Sequence, residues 1–353
     1  NISDETKAYL GREYKASPYQ LDMFSIFMEK ASQLCRVGGR VGQIVPNVWL
    51  TNMYSSTTRA FIFGHAEDLS IVAPPSNVFP GLTVDTVIYV LQKSSEPGTT
   101  FSVMSMRGRD IVSVAEHKVV EYIDGHRPIS TTLNSIAAAL VFRLKQDYPP
   151  LETFAQITRG VHPYRTGGYG QTAYGKGPQT QRDVEERPYH SDIQLEGYRP
   201  FVYGRDLGRY NPVTAHDYVM YGPWLAEPRN PVFFEGERIY SRKILGPRLV
   251  VTLEQTDTIA DQQVYITKPT NSAIATRYLL GLLGSRLISE FIRGYYDESM
   301  DAFPQIKVGQ LKSLPIPTID PTNPTDRAQH DRLVALVQQM LDLHQRHAAE
   351  GNP

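Results

Sequence analysis

The chain has 353 residues, 41% of them apolar and 21% charged, with a formal net charge of −1, which leaves enough material for a substantial core in two or three domains and excludes a disordered chain. Near-neutrality argues against a small, indiscriminately basic nucleic-acid binder, although it leaves a local basic groove open. No 18-residue apolar stretch and no secretory leader pattern occurs, and a single cysteine, Cys35, sits in an apolar helical pattern as a core residue, so a reducing cytoplasm and no membrane are expected. The 25 Pro, 26 Gly and 21 Tyr point to many turns and an irregular surface.

In chain order, residues 21–39 read as a helix, with Phe24, Phe27, Met28, Ala31 and Leu34 on one stripe and Gly38 or Gly39 as its stop. RVGQIVPN follows as a short buried strand ending at Pro46, then a helix over Ser55–Phe63, then strands in DLSIVA, DTVIYVLQK and TTFSVMSMRG. This alternation is an α/β signature. The glycines of GGRVG follow a helix and enter a strand, so they read as a helix stop rather than a phosphate cradle.

ISTTLNSIAAALVFRLKQ reads as a helix running into YPPLETF, where paired prolines mark a domain boundary. Beyond it the texture changes. FAQITRG, RPFVYGRD, PRLVVTLEQ and QQVYITKP read as short strands between polar loops, and TRYLLGLLGSRLISEFIRG as one helix with an apolar stripe. From Leu151 to Val250 there are 13 Lys and Arg against 11 Asp and Glu, a weak local surplus of positive charge. The long polar, Gly-rich segment up to Tyr189 reads as a loop that either orders on a ligand or stays mobile. NPTDRAQHDRLVALVQQMLDLHQRH reads as a closing helix capped by Thr325, with Leu333, Leu336, Val337, Met340 and Leu341 packing back on the chain. His117, His126, His162, His190 and His216 show no metal-ligand spacing, so no metal is expected.

YQLDMFSIFMEKASQLCRVGGRVGQIVPNVWLTN and VFPGLTVDTVIYVLQK resemble the latter half of the catalytic domain of N6-adenine DNA methyltransferases from type II and IIG restriction-modification systems. ITRGVHPY, YRPFVYGRDLGRY, RYLLGLLGSRLISEFI and FPQIKVGQLKSLPIP, in that order, resemble a TaqI-like target-recognition domain. The resemblance implies an α/β fold: a partial Rossmann-like methyltransferase core over 1–118, a helical spacer over 119–149, an α+β target-recognition domain over 150–320 and a C-terminal helix and tail over 321–353. It implies sequence-specific recognition of double-stranded DNA within an enzyme that transfers a methyl group from S-adenosylmethionine to adenine N6; a non-catalytic DNA-specificity adaptor is the other reading. The Asn/Asp-Pro-Pro-aromatic motif and a cofactor turn are not found, so the chain reads as a carboxyl-terminal fragment, beginning on Asn1, of a parent whose N-terminal methyltransferase half, and a nuclease region if there is one, lie outside it. On this reading S-adenosylmethionine belongs to the full-length parent, no cofactor is assured for the fragment, and the catalytic set is incomplete.

Site residues follow from the resemblance. Asp22 falls near the catalytic pocket, or is a first-turn aspartate favoured by the helix dipole. Asn47 lines the same region or makes a turn, and Phe79 stacks on a flipped adenine or packs in its loop. DNA contacts are expected at Arg159, His162, Tyr164 and Arg165, with a hydrogen bond inside the turn as the other reading of His162. They are also expected at Arg205, Arg209 and Tyr210 of GRDLGRY, where Gly204 and Gly208 allow close backbone approach and a plain charged turn exposing Arg205 and Asp206 is the other reading. Lys307 and Lys312 would approach phosphate or remain solvated, in a segment whose Ile306, Val308, Leu311 and Leu314 dock it on the recognition domain.

Overall fold

A computed structural model describes residues 2–16, 22–75, 78–79, 84–270, 274–296 and 305–351. Residues 19–21 of the first resemblance, 80–83 of the Phe79 loop, and 303 and 304 of the FPQIK segment therefore lie outside the described residues. The architecture is mixed α/β with open sheets, in two compact units: Asn1–Leu144 with Phe291–Ala302, and Lys145–Glu290 with Phe303–Pro353.

The first unit runs α1 (Asp4–Glu13), α2 (Met23–Leu34), β1 (Arg40–Pro46), α3 (Ser56–Gly64), β2 (Ala66–Ala73), β3 (Thr86–Lys93), β4 (Thr100–Arg107), β5 (Asp110–Lys118) and α4 (Ser135–Asp147), which carries the chain into the second unit. Its sheet has the order β1-β3-β2-β4-β5. Because β3 is antiparallel to both β1 and β2 while β2 and β4 are parallel, β1, β2 and β4 run one way and β3 and β5 the other. β5 goes beyond the sequence reading, which ends at β4. Gly108, with φ +65°, opens the two-residue turn between them in the conformation that matches strand twist.

Trp49, Phe63, Tyr89, Phe101 and Tyr122 form the fully buried centre of this unit. The face that α2 buries differs from the predicted stripe: Ser25, Ile26, Met28, Glu29 and Ser32 point inward, while Phe27 and Leu34 are exposed. The cause is Glu29, whose carboxylate accepts the backbone N–H groups of Lys15 and Ala16 at 2.8 Å each and so draws its side of the helix into the fold. Cys35 caps the end of α2 half-buried against the core rather than inside it. β1 is likewise half-buried, as suits an edge strand. Buried Arg59 donates to the carbonyls of Trp49 (2.6 Å), Asn52 (2.8 Å) and Gly125 (2.6 Å), which fixes the turn after β1.

The second unit contains β6 (Ala155–Arg159), α5 (Gln181–Glu186), β7 (His190–Ser191), β8 (Tyr198–Val202), β9 (Asp217–Met220), β10 (Arg238–Arg242), β11 (Val251–Glu254), β12 (Ile259–Ala260), β13 (Val264–Pro269) and α6 (Thr276–Leu283). It is completed by the start of α7 (Arg286–Tyr296), α8 (Val308–Lys312) and α9 (Pro324–Ala349). Two four-stranded sheets, β11-β10-β13-β6 and β12-β8-β9-β7, share a core built on Phe201, Val219, Tyr240, Val264 and Ile266. Gly160, just after β6, is where the chain crosses between them. A Cβ there would lie 2.2 Å from the carbonyl oxygens of Ala260 and Asp261, so only glycine fits.

Four local expectations change. The stretch from Thr276 onward is two helices, because the chain breaks at Gly284–Ser285. α9 is capped by Asn323, whose side chain accepts the Thr325 N–H, with Pro324 in the first turn; Thr325 is therefore the donor and not the cap. On the same helix Val337 is buried, whereas Leu336 and Met340 are exposed. The 305–316 segment is structural: Ile306, Leu311, Leu314 and Ile316 are fully buried, and backbone bonds to Lys243, Leu151 and Pro149 hold its two ends, while Val308 lies partly exposed.

Candidate nucleic-acid interface

In the second unit, a bridge between His162 and Glu227 brings the segment after β6 against the loop after β9: the His162 N–H donates to the Glu227 carbonyl at 3.1 Å and the Glu227 N–H to that of His162 at 2.9 Å. This pairing places the Glu227 carboxylate among several cations. Its Oε2 accepts from Arg159 Nη2 at 3.1 Å and from Arg229 Nη2, and its Oε1 from Arg165 Nη1 at 3.0 Å, with His162 Nδ1 at 3.9 Å. Burial alone would raise the Glu227 pKa, but the charge and hydrogen bond of Arg229, followed by Arg159 and Arg165, outweigh it and lower the value. His162 is held below its ordinary pKa, first by burial and then by the three arginines against the pull of Glu227. With His162 neutral the cluster carries two net positive charges, and the Arg159 and Arg165 side chains are 46% and 45% exposed.

The loop behind Arg165 is tied down at two buried residues. Gln179 Oε1 accepts the Arg165 N–H at 2.8 Å, while its Nε2 donates to the carbonyls of Pro163 (2.9 Å) and Trp224 (3.1 Å). Asp183 accepts from the Ala173 and Thr180 N–H groups and from the hydroxyls of Thr172 and Thr180. Burial alone would raise its pKa, yet these four bonds hold it down to about 2. The guanidinium of Arg165 lies over the Tyr169 ring at 4.1 Å, and that of Arg182 over Tyr174 at 3.9 Å. The Gly-rich segment thus has a defined, hydrogen-bonded shape in the free protein. Tyr164 takes a different place from its neighbours: it is buried, stacked on Tyr189, and its hydroxyl joins His190 Nδ1 and the Tyr189 N–H, so it supports the loop from below.

GRDLGRY divides in the same way. Arg205 is 78% exposed, loosely paired with Asp206 at 3.7 Å and stacked over Tyr203 at 4.7 Å. Its turn is held from beneath by Asp261, which accepts the Gly204 N–H, and by Asp206, which accepts the Tyr203 N–H. Arg209 instead donates to the carbonyl of Gly284 at 2.8 Å, at the break between α6 and α7. Tyr210 is buried with φ +59°, and its hydroxyl fills the space beside Gly284, where a Cβ would lie 2.4 Å away. The residues expected to form one DNA-facing group are thereby separated: Arg205 projects outward and Arg209 and Tyr210 pack inward. Lys307 is exposed at the start of α8 and Lys312 half-buried at its end.

In the first unit, β1 and β2 end on the same side of the sheet, so the turn beginning at Asn47 and the loop carrying Phe79 share that edge; the Asn47 N–H donates to the Asp85 carbonyl at 2.9 Å. Phe79 is 40% exposed. Asp22 is the N-cap residue of α2 and makes no capping bond with its side chain.

The sequence signals for Glu227 and Arg229 were absent because their partners lie as far as 68 and 69 residues away in the chain. Only an acidic residue closely followed by an arginine marks the site locally.

Residues 1–79 match the Eco57I restriction-modification methylase family, and residues 199–316 match the TaqI-like C-terminal specificity domain. The first match corrects the expectation that the methyltransferase half lies outside this chain: methylase sequence begins at its first residues. A curated relative from Methanocaldococcus jannaschii, described as a candidate type II restriction enzyme and methyltransferase, is 24% identical over 310 residues. The match covers 84% of this chain and 25% of that protein, so the chain spans about a quarter of the relative's length. Among solved structures, a nuclease-deletion mutant of the Type ISP restriction-modification enzyme LlaGI, in complex with a DNA substrate mimic, is similar with a TM-score of 0.51 at 11% identity, over 98% of this chain and 33% of that one. The Type IIL restriction-modification enzyme MmeI, in complex with DNA, is similar with a TM-score of 0.53 at 10% identity, over 96% of this chain and 47% of that one. At such identities these two likenesses show the fold. Among the described residues no helix is long and apolar enough to cross a membrane.

Proposed function

We propose that this chain, an N6-adenine methyltransferase-like, DNA-binding member of the restriction-modification proteins with an Eco57I-type methylase segment and a TaqI-like specificity domain, selects a particular duplex sequence for adenine-N6 methylation. The observation that carries this reading is the arginine cluster on Glu227. A planar guanidinium carries five N–H donors in a fixed fork, which suits both phosphate oxygens and the O6/N7 edge of guanine. Arg159, Arg165 and Arg229 each use part of that fork on Glu227 and keep the remainder for a ligand. Arg205, and the exposed Lys307 with Lys312, would add phosphate contacts that fix the register without reading sequence.

On the methylase side, Phe79 would give an extruded adenine a ring to stack on, replacing part of the stacking lost in the duplex. Asn47 and Asp22 would line the same pocket and hold the base by its polar edge. S-adenosylmethionine is the methyl donor that this reading implies. α2 stops at Leu34, with Cys35 as its cap, ahead of the glycines expected to end it; Gly38–Gly42 form the turn that follows and the start of an antiparallel edge strand, a geometry unsuited to a cofactor cradle.

Selection from a pool of random duplexes tests the reading directly. One enriched motif, bound with an affinity that falls steeply with salt, is the expected result. Binding without enrichment, or no salt-dependent binding, would overturn it.

A further inference from the structure

We infer that Glu227 is a specificity-determining positioning residue, which locks three arginines into one donor array and at the same time lowers the array's attraction for phosphate. This inference rests on the DNA-binding reading above. Two of the guanidiniums, those of Arg229 and Arg165, are held at a second point besides the carboxylate, and the third, that of Arg159, stands on a fixed stretch of backbone. Arg229 Nε donates to the Gly160 carbonyl at 3.1 Å, and the backbone of Arg229, at φ +66°, is held by Tyr221, whose hydroxyl donates to its carbonyl at 3.1 Å. Arg165 has its N–H on Gln179 and its guanidinium over Tyr169. Arg159 leaves the end of β6 one residue before Gly160, the crossing point that admits no side chain.

Stability alone does not account for this arrangement. Exposed ion pairs add little to folding, and two of the three arginines are about half exposed. What the carboxylate does provide is order, because long arginine side chains lose rotamer freedom when they bind and an array already fixed loses less. It also imposes a sign. A central negative charge opposes phosphate, which is anionic, more than it opposes a neutral base edge. Glu227 therefore weakens the sequence-independent part of binding and leaves the directional hydrogen bonds that discriminate bases.

The test uses the full chain, the duplex recovered by selection and a random duplex pool of the same length. For Glu227→Gln, one negative charge is removed from the face. The random pool should bind more tightly, with a salt slope steeper by about 0.9, while preference for the selected duplex falls about tenfold. A folded Glu227→Gln that loses affinity for both probes in equal proportion, with the slope unchanged, would overturn the inference. Glu227→Asp keeps the charge and shortens the reach by one methylene. It should retain the wild-type slope but lose preference, and it decides the matter if the Gln variant does not fold: unchanged preference would reject the positioning role. Wild-type protein that binds neither probe would sink the DNA-binding reading itself, and this inference with it, a result distinct from the variant outcomes.

Discussion

The two arginine-bearing faces of the second unit are built on opposite plans. Around Glu227, three guanidiniums meet on one carboxylate that comes from a distant loop, and two of them stay half exposed. In GRDLGRY, two arginines four residues apart diverge, Arg205 into solvent and Arg209 onto a helix-end carbonyl. The difference teaches that spacing in the sequence is a poor guide to what an arginine faces. What decides is whether an unpaired backbone acceptor lies within reach: the break at Gly284 offers one, and a charged donor takes it.

If the inward half of GRDLGRY belongs to the fold, Tyr210→Ala should have the largest effect. It removes a buried ring that sits beside Gly284 and His344 and leaves alanine at a positive φ. A loss of about 3–5 kcal/mol is expected from truncating a large buried aromatic side chain, measured by urea denaturation. A change below about 1 kcal/mol, well under the cost of truncating a buried aromatic side chain, would show that the ring is not part of the core.

Beneath the Glu227 face lies a pH-sensitive support. His190 is buried, its Nδ1 bonded to the Tyr164 hydroxyl, its Nε2 3.9 Å from Asp217. Burial, reinforced by Arg187 and opposed by Asp217, lowers its pKa to about 4 from 6.5. A depressed folded pKa means the stabilisation is complete above pH 6.5 and is lost as pH falls through 4, a contribution of roughly 3 kcal/mol at most by linkage. The melting temperature should fall across that window in the wild type and fall less in His190→Asn. Parallel profiles would place the titration elsewhere.

Much of the fold was readable because it rests on local patterns. The branched apolar runs of β2, β3, β6 and β13 fall where the sequence puts them, and α2 forms in its predicted stretch although it turns another face inward. β5 escaped because Ile111 and Val112 are both exposed and its alternation is poor. The break inside the predicted 276–294 helix escaped because Gly284 is tolerated in a helical pattern and its reason, the space occupied by Tyr210, is a tertiary one. The candidate interface was half readable. Its arginines stood out by composition, but Glu227 organises them through contacts with residues 62 to 68 positions earlier, which no local window contains. Tyr164 and Tyr210 misled for the same reason, since an aromatic beside an arginine reads alike whether it is presented or packed.

Arg209→Ala comes next in size. The variant loses a charge-assisted bond to Gly284 and leaves that carbonyl without it; a cost of about 2 kcal/mol is in the range for a hydrogen bond to a charged group. DNA affinity extrapolated to the folded population should keep the wild-type salt slope. A slope reduced by about one would mean that Arg209 leaves Gly284 for phosphate when DNA binds, and the two plans would then be less different than the free structure has them.

Arg205→Ala should be the gentlest change to the fold and the clearest for the ligand. The side chain has only a 3.7 Å pairing with Asp206 and the face of Tyr203 to lose, so the stability change should stay within about 0.5 kcal/mol, as for surface sites generally. If the guanidinium neutralises one phosphate, the salt slope should fall by about 0.9, with affinity reduced alike for every duplex. If it reads a base edge, the selected duplex alone should lose about 1–3 kcal/mol of preference. Phosphate contact is the expected outcome, because Arg205 lacks the carboxylate that fixes the Glu227 array, and an arginine free to swing discriminates poorly among neighbouring acceptors. A loss confined to the selected duplex would reverse that argument. It would make the exposed turn, rather than the Glu227 cluster, the part of this unit that reads sequence.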